Sequence, residues 1–313
     1  MPGTPPMHFV YLGPEGTFTE AALLTIPAAE RGPRTPARSV PEAIEAVRSG
    51  AADAAVVPLE SSVGGAVPVT LDELATGSPL VITREIVLPV EFVLAARTPT
   101  PLAAIRTVAA HPQASAQCRK WLLANLPEAT VVDVLSNAAA AISAASGEHD
   151  AALAAPIGVP RNGLTVLADN VADHADAVTR FAVLTRPGPP AAPTGDDVTS
   201  LALKIRHDQV GALLAVLTEL AVRGINLSRI ESRPTGEQLG TYVFFLDCAG
   251  HVAEPRLGEA LQGLRRICAE VRFLGSYPRH RLTTEAPVPS PPGLSDADFA
   301  DSALWLASLR SAG

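Results

Sequence analysis

Four polar clusters in the first two-thirds of the chain carry residue types that could hold an anion such as a carboxylate. Gly13-Pro14-Glu15-Gly16-Thr17-Phe18-Thr19 is a turn running into a helix start, where backbone N–H groups and hydroxyls suit an anion. A plain strand-to-helix turn would read the same way. Val57-Pro58-Leu59-Glu60-Ser61-Ser62-Val63-Gly64-Gly65 sets a carboxylate and two hydroxyls just past a buried strand, before two glycines that permit close backbone approach. A loop with a capping serine is the competing reading. In His111-Pro112-Gln113-Ala114-Ser115-Ala116-Gln117 a strand ends at His111, Pro112 opens a helix, and Gln113 and Gln117 share one face. A lone histidine is more often structural than catalytic. No second His or Cys stands at metal-ligand spacing, so a metal site is rejected. In Thr179-Arg180-Phe181 a hydroxyl and a guanidinium begin an otherwise apolar strand, and Arg can grip a carboxylate bidentately where Lys cannot. Taken singly, an edge-strand arginine explains it as well.

These clusters need a frame. Across residues 8–186 strand-like and helix-like segments alternate: Phe9 to Leu12, a helix near Thr17 capped by Thr17 or Thr19, a helix from Pro41 to Ser49, and strand Ala54 to Pro58. Strands Glu91 to Ala96 and Arg106 to Ala110 follow, then helix Ser115 to Leu126, an extended Thr130 to Leu135, helix Asn137 to Ser146 closed by Gly147, and strands Ala151 to Ala154 and Thr165 to Leu167. This spacing predicts an α/β fold with largely parallel strands, whose ligand loops follow strand C-termini.

Residues 198–280 follow another rhythm. Leu201, Leu203 and Ile205 alternate as a half-buried strand, and Leu213, Leu214, Leu217, Leu220 and Ala221 take helical spacing up to Gly224. Strands Ile225 to Arg233 and Thr241 to Asp247, a helix Glu254 to Cys268 and a strand Val271 to Tyr277 complete a βαββαβ, ferredoxin-like unit. Its stretch GALLAVLTELAVRGINLSRIESRP has the shape of a small-molecule sensor. The linker RPGPPAAPTGDD, with four prolines and two glycines, separates the two regions. A second Pro-rich break precedes a tail helix in which Ser295 caps and Asp298 reaches back, and whose stripe of Phe299, Leu304, Trp305 and Leu309 predicts docking on the protein's own surface.

Composition narrows the class. The chain has 313 residues, enough for two domains, and a net charge of −8 with no Lys/Arg run, which excludes a nucleic-acid surface. Apolar residues make up 47% but aromatics only 4%, so Ala, Val and Leu must build the core. The N-terminus has neither the basic nor the apolar region of a secretory signal, and Pro79 to Ala96 is too interrupted to span a bilayer. Cys118, Cys248 and Cys268 form no CxxC pair and read as reduced thiols of a cytoplasmic protein.

Taken together and in this order, GPEGTFTE, VPLESS, HPQASAQC and TRF resemble the prephenate dehydratases, and GALL…GINLSRIESRP with Tyr242-Val243-Phe244-Phe245 resembles the ACT regulatory domain that follows in that family. The resemblance covers roughly residues 8–280. It implies a two-lobed, periplasmic-binding-protein-like catalytic domain over 8–186, one lobe about 8–83 plus 168–186 and the other about 84–167. It further implies a linker at 187–197, the ACT domain at 198–280 and a tail at 281–313. The implied reaction turns prephenate into phenylpyruvate with loss of CO2 and the ring hydroxyl, using no metal or organic cofactor. Thr179 would donate to the leaving hydroxyl, Arg180 would bind a carboxylate, and Phe181 would pack the ring side of the cleft. Glu60, Ser61 and Gln113 would complete the catalytic set, with Thr17, Ser62, His111 and Ser115 contacting substrate. Phenylalanine would bind at Gly211, Ala212, Leu213, Asn226, Leu227 and Ser228, and ACT pairing implies a homodimer or homotetramer.

Two positions depart from the family pattern. Ser61 stands where Asn commonly follows the glutamate, and Ala177 where Asn often precedes the threonine by two. Losing one donor aimed at developing charge costs roughly 10²–10³ in rate. These departures keep two alternatives open: a decarboxylase that leaves the ring hydroxyl in place, and a catalytically silent amino-acid-binding protein.

Overall fold

Short apolar strands alternate with capped helices through the first half of the chain. The computed structural model describes residues 6–206, 210–236, 240–281 and 289–311. Strand β1 (Phe9–Leu12) leads to α1 (Phe18–Leu24), β2 (Arg34–Ala37) to α2 (Val40–Arg48), and β3 (Ala54–Ser61) to the short β4 (Gly65–Ala66), α3 (Pro68–Ala75) and β5 (Val81–Pro89). A second run holds β6 (Val93–Ala96), β7 (Thr107–Ala110), α4 (Pro112–Gln117), α5 (Arg119–Asn125), β8 (Thr130–Asp133), α6 (Asn137–Ser146), β9 (Ala151–Ala154), α7 (Gly158–Arg161) and β10 (Thr165–Ala168). The chain then returns as β11 (Val178–Thr185).

The first sheet has the order β2-β1-β3-β11-β5, with β4 hydrogen-bonded to β3; the second runs β10-β6-β9-β7-β8. The pairs β1–β2, β1–β3, β7–β8 and β7–β9 are parallel, as βαβ crossovers require. The pairs β6–β9 and β10–β6 of the second sheet and β3–β4 of the first are antiparallel, so both sheets are mixed. Small residues carry the core: Ala95, Ala109, Ala140, Ala141, Ala144, Ala152 and Ala154 are buried together between α6 and the second sheet. Local chemistry fixes α6 at both ends. Ser136 Oγ accepts the Ala139 N–H at 2.9 Å, and Gly147 takes the left-handed conformation (φ 80°) that ends the helix. The expected single helix over 115–126 is instead two, α4 and α5, hinged at Cys118.

The C-terminal part folds as β12 (Asp197–Ile205), α8 (Ala212–Ala221), β13 (Leu227–Pro234), β14 (Tyr242–Ala249), α9 (Pro255–Ile267) and β15 (Cys268–Pro278). Its antiparallel sheet has the order β13-β14-β12-β15, the ferredoxin-like arrangement. One sheet face packs Leu201, Leu203, Leu246 and Cys248 on Val216, Leu220, Leu257 and Leu264 of the two helices. The tail helix α10 (Asp296–Ser311) follows. Its cap is as expected, with Ser295 and Asp298 bonded reciprocally, but docking is confined to its start. Leu304, Trp305 and Leu309 are exposed, whereas Asp296 accepts the Arg256 N–H at 3.1 Å. The beginning of the Pro-rich break, 282–288, lies outside the described residues.

By packing, the chain forms two compact units: one runs to Thr70 and resumes over Ile86–Ala182, and the other joins Leu71–Glu85 to the chain from Val183 on.

Candidate active site

The loop after β3 and the start of β11 meet. Strand β3 runs three residues further than its apolar pattern predicts, through Ser61, and folds back with Glu60 opposite Ala66 and Ser61 opposite Gly65. Ser61 Oγ accepts the N–H groups of Val63 and Gly64, both at 3.3 Å, so the hydroxyl closes its own turn. Ser62 pairs reciprocally with the residue before Thr179. Its N–H donates to Val178 O at 2.9 Å, and its Oγ accepts the Val178 N–H at 3.0 Å. One step on, Arg180 Nη1 lies 3.8 Å from Glu60 Oε2. Five of the expected residues, Glu60, Ser61, Ser62, Thr179 and Arg180, are thus brought together, with Thr179 and Arg180 half-buried. Phe181 is 2% exposed, so its ring lies within the apolar interior, on the face of β11 that Thr179 shares and opposite to Arg180.

An open pocket of about 550 Å³ adjoins this group, lined by Ser62, Val63 and the segment Asp173 to Ala177. Asp173 anchors that segment: its carboxylate accepts the N–H groups of Lys120 and Trp121 at 2.9–3.1 Å, capping α5, and its own N–H donates to Gln117 O at 2.7 Å. Ala177 is buried against the second sheet in a cluster with Phe92 and Val171, and its carbonyl accepts the Val90 N–H at 2.7 Å. A methyl group suits that enclosed position, where a larger amide would need new hydrogen-bond partners.

His111, Gln113 and Ser115 stand apart at the end of β7. His111 is the N-cap of α4, and its Nδ1 accepts the Gln113 N–H at 3.3 Å. Burial lowers its pKa below the ordinary imidazole value, against an opposing pull from Asp133, so the neutral ring that can accept this bond is favoured. Ser115 Oγ donates to Pro112 O at 3.0 Å, while the Gln113 side chain is exposed. Thr17 caps α1, accepting the Glu20 N–H at 3.4 Å and donating to Leu12 O at 3.3 Å. One N–H expected to serve an external anion there is already engaged: Gly16 N–H donates to Glu20 Oε2 at 2.6 Å.

In the C-terminal unit Gly211, at φ 85°, opens α8, where Ala212 and Leu213 are half-buried; residues 207–209 before it are not among those described. Leu227 packs on the sheet core, Asn226 is exposed, and Ser228 Oγ donates to Asp247 O at 3.4 Å. The ESRP motif offered Glu231 and Arg233 for contact with another part of the chain as an alternative to effector binding, and Arg233 makes such a contact. It makes two bonds to the Asp72 carboxylate of α3, at 2.6 and 2.8 Å. Arg272 closes the end of the same helix, donating to the carbonyls of Leu74, Thr76 and Gly77 at 2.7–2.9 Å. Gly275 lies against the backbone of Ile82 so tightly that no side chain could stand there.

A family profile described as prephenate dehydratase matches residues 9–189, and one described as ACT domain matches residues 200–266. The chain belongs to the prephenate dehydratase family. A curated prephenate dehydratase from Mycobacterium tuberculosis (strain ATCC 25618 / H37Rv) is 48% identical, over 97% of this chain and 94% of that protein. Among solved structures, a prephenate dehydratase from Arthrobacter aurescens in complex with L-Phe shares 45% identity at a TM-score of 0.90, covering 96% of this chain and 99% of that one. A structure described as GqqA, a novel type of quorum quenching acylase, shares 29% identity at a TM-score of 0.77, covering 87% and 98%.

Within this prephenate dehydratase frame, the residues the sequence reading missed are Glu20, Arg161 and Asp173. Glu20 was legible: Thr17-x-x-Glu20 has the capping-box spacing. Arg161 and Asp173 act over long sequence separations, on Glu20 and on the helix at Lys120, and no local pattern marks them. All three cysteines are free thiols and buried. Burial pushes Cys118 and Cys248 up to about 12, which suits packing and not nucleophilic chemistry. Among the described residues no helix is long and apolar enough to cross a membrane.

Proposed function

We propose that the chain converts prephenate to phenylpyruvate and that phenylalanine, held by the C-terminal domain, regulates it. The observation that carries this reading is the convergence of the Glu60–Ser62 loop on Thr179–Arg180 in a chain 48% identical to curated prephenate dehydratases. The ring carboxylate of prephenate leaves as CO2, its electron pair enters the ring, and the opposite C–O bond breaks. The expelled oxygen takes up one proton and leaves as water, and the ring becomes aromatic. Thr179 supplies the hydrogen bond to that oxygen. A threonine hydroxyl is a poor acid in water, so its contribution is a preorganised bond within a site poor in water. Arg180, steadied by Glu60, binds a carboxylate of the substrate. Gln113, His111 and Ser115 face the substrate from the second lobe and Thr17 from the first turn.

The catalytic domain spans 8–186 and the ACT domain 198–280, with effector at Gly211 to Leu213 and Asn226 to Ser228. The Arthrobacter aurescens relative was solved with L-Phe, which supports the same effector here. Asp72 and the end of α3, gripped by Arg233 and Arg272, form the route by which the sensor sheet acts on the loop at Ser61, because α3 begins two residues after β4. A cytoplasmic homodimer or homotetramer fits an ACT domain of this type.

Incubation with prephenate tests the reading. Phenylpyruvate should form, and Thr179→Ala should lower turnover by roughly 10²-fold or more without changing the melting temperature. Product NMR showing a surviving ring carbinol would instead establish the decarboxylase alternative, which the relatives do not favour.

A further inference from the structure

The geometry points to Glu20 and Arg161 as positioning residues: an ion pair between a buried carboxylate and a partly exposed guanidinium that locks the second lobe onto the Gly16–Thr17 turn and thereby sets the substrate cleft. The inference rests on the reading of Thr17 as a substrate contact. The Glu20 side chain is only 7% exposed, an unusual place for a charge, and its two oxygens are divided between two tasks. Oε2 takes the Gly16 N–H at 2.6 Å, while Oε1 meets Arg161 Nη2 at 2.7 Å. The same guanidinium reaches Glu15 through Nη1 at 3.1 Å. One planar fork therefore grips the turn from both sides, Glu15 before Thr17 and Glu20 after it.

Two further contacts hold the same seam. Arg161 ends α7, whose first residue, Gly158, meets Gly16 backbone to backbone; a Cβ on Gly158 would stand 3.1 Å from Gly16 O. Phe18 meets Phe92 edge to face with ring centroids 5.4 Å apart. The polar pair is thus set among contacts that leave little room for the turn to shift. Beneath it, burial and then the Glu20 and Glu15 carboxylates push the Tyr11 hydroxyl up to about 12, so it stays protonated beside them.

Removing the fork lowers the population of the binding-competent arrangement, and apparent affinity falls by that fraction. In the full-length protein, Arg161→Ala should raise KM for prephenate about tenfold while kcat changes less than about threefold. Arg161→Lys should recover part of the loss, since one ammonium can serve Glu20 but not both carboxylates. Glu15→Gln, altering an exposed arm, should raise KM by a smaller factor and keeps the test open if Arg161→Ala fails to fold. A melting temperature that drops with KM unchanged would make the pair merely structural and overturn the inference. Inactivity of the unmodified protein would refute the dehydratase reading instead. Hydrogen exchange then decides the lock: at least about tenfold faster exchange of the Gly16 amide in Arg161→Ala supports it, and unchanged exchange overturns it.

Discussion

Ser61 shows how one side chain can be recruited by its own loop. Its hydroxyl accepts two turn N–H groups, so the place where the family commonly has Asn is filled by a residue that holds the hairpin shut. Ser61→Ala should cost about 1 kcal/mol in stability by denaturant melting, the net worth of a lost hydrogen bond. Ser61→Asn should keep the turn, since an amide oxygen can accept the same N–H groups, and add a donor toward the substrate. Its turnover should equal or exceed that of the natural chain, and a drop with the fold intact would show that the loop is shaped around serine. His111 carries a pH signature. Its folded pKa lies below the ordinary value of 6.5 through burial, so below that value the unfolded state binds more protons. The stability it contributes is fully present above pH 6.5 and declines as pH falls toward the folded value. NMR titration of the ring should give a midpoint under 6.5, and a midpoint above it would contradict the half-buried cap assignment.

At the scale of elements, α3 is held at two points by arginines of the sensor sheet, Arg233 on Asp72 and Arg272 on the carbonyls of Leu74 and, just past the helix, Thr76 and Gly77. Arg233→Ala should leave phenylalanine affinity within about threefold by calorimetry yet shrink the response of turnover to phenylalanine by about fivefold or more, the lower end of ordinary coupling energies. An undiminished response would remove α3 from the route. Which elements were legible follows from where their information lies. Helix α6 and strands β1 and β9 were read to the residue because cap, glycine and apolar run are all local. Strand β5 was not, since Arg84, Glu85 and Pro89 break its apolar pattern; Glu85 is buried because its carboxylate accepts the His280 N–H at 2.7 Å, far along the chain. The polar β2 owes its form to pairing with β1, and the break at Cys118 to the cap that Asp173 places on α5. Likewise the four site clusters were legible one by one, but the Ser62–Val178 pairing that joins two of them was not.

For the molecule as a whole, a division read along the chain is linear, whereas packing is not: Leu71–Glu85 belongs with the C-terminal unit although a long stretch of sequence separates them. The tail raises the same question, because among its described residues the ties to α9 and Gly224 gather at Ser290 to Asp296. Asp296 supplies the N–H cap that α9 lacks from its own Glu254, Ser290 Oγ accepts from Arg256 Nη1 at 2.9 Å, and Pro291 and Leu294 cover Gly224. Beyond that anchor Leu304, Trp305, Leu306 and Leu309 are exposed and add little to the stability of the single chain. A chain ending at Asp301 keeps the anchor and the Ser295–Asp298 cap, so its melting temperature should stay within about 1 °C of the full-length value. A chain ending at residue 289 loses the cap and the cover on Gly224, a cost of about 1–2 kcal/mol, which lowers the melting temperature by several degrees. Light scattering alongside the melts separates the two uses of an apolar helix. If the shorter loss at 301 both destabilises the protein and reduces its mass in solution, the exposed stripe joins copies of the chain; if neither changes, the anchor at Ser290 to Asp296 accounts for all that the tail contributes to the fold.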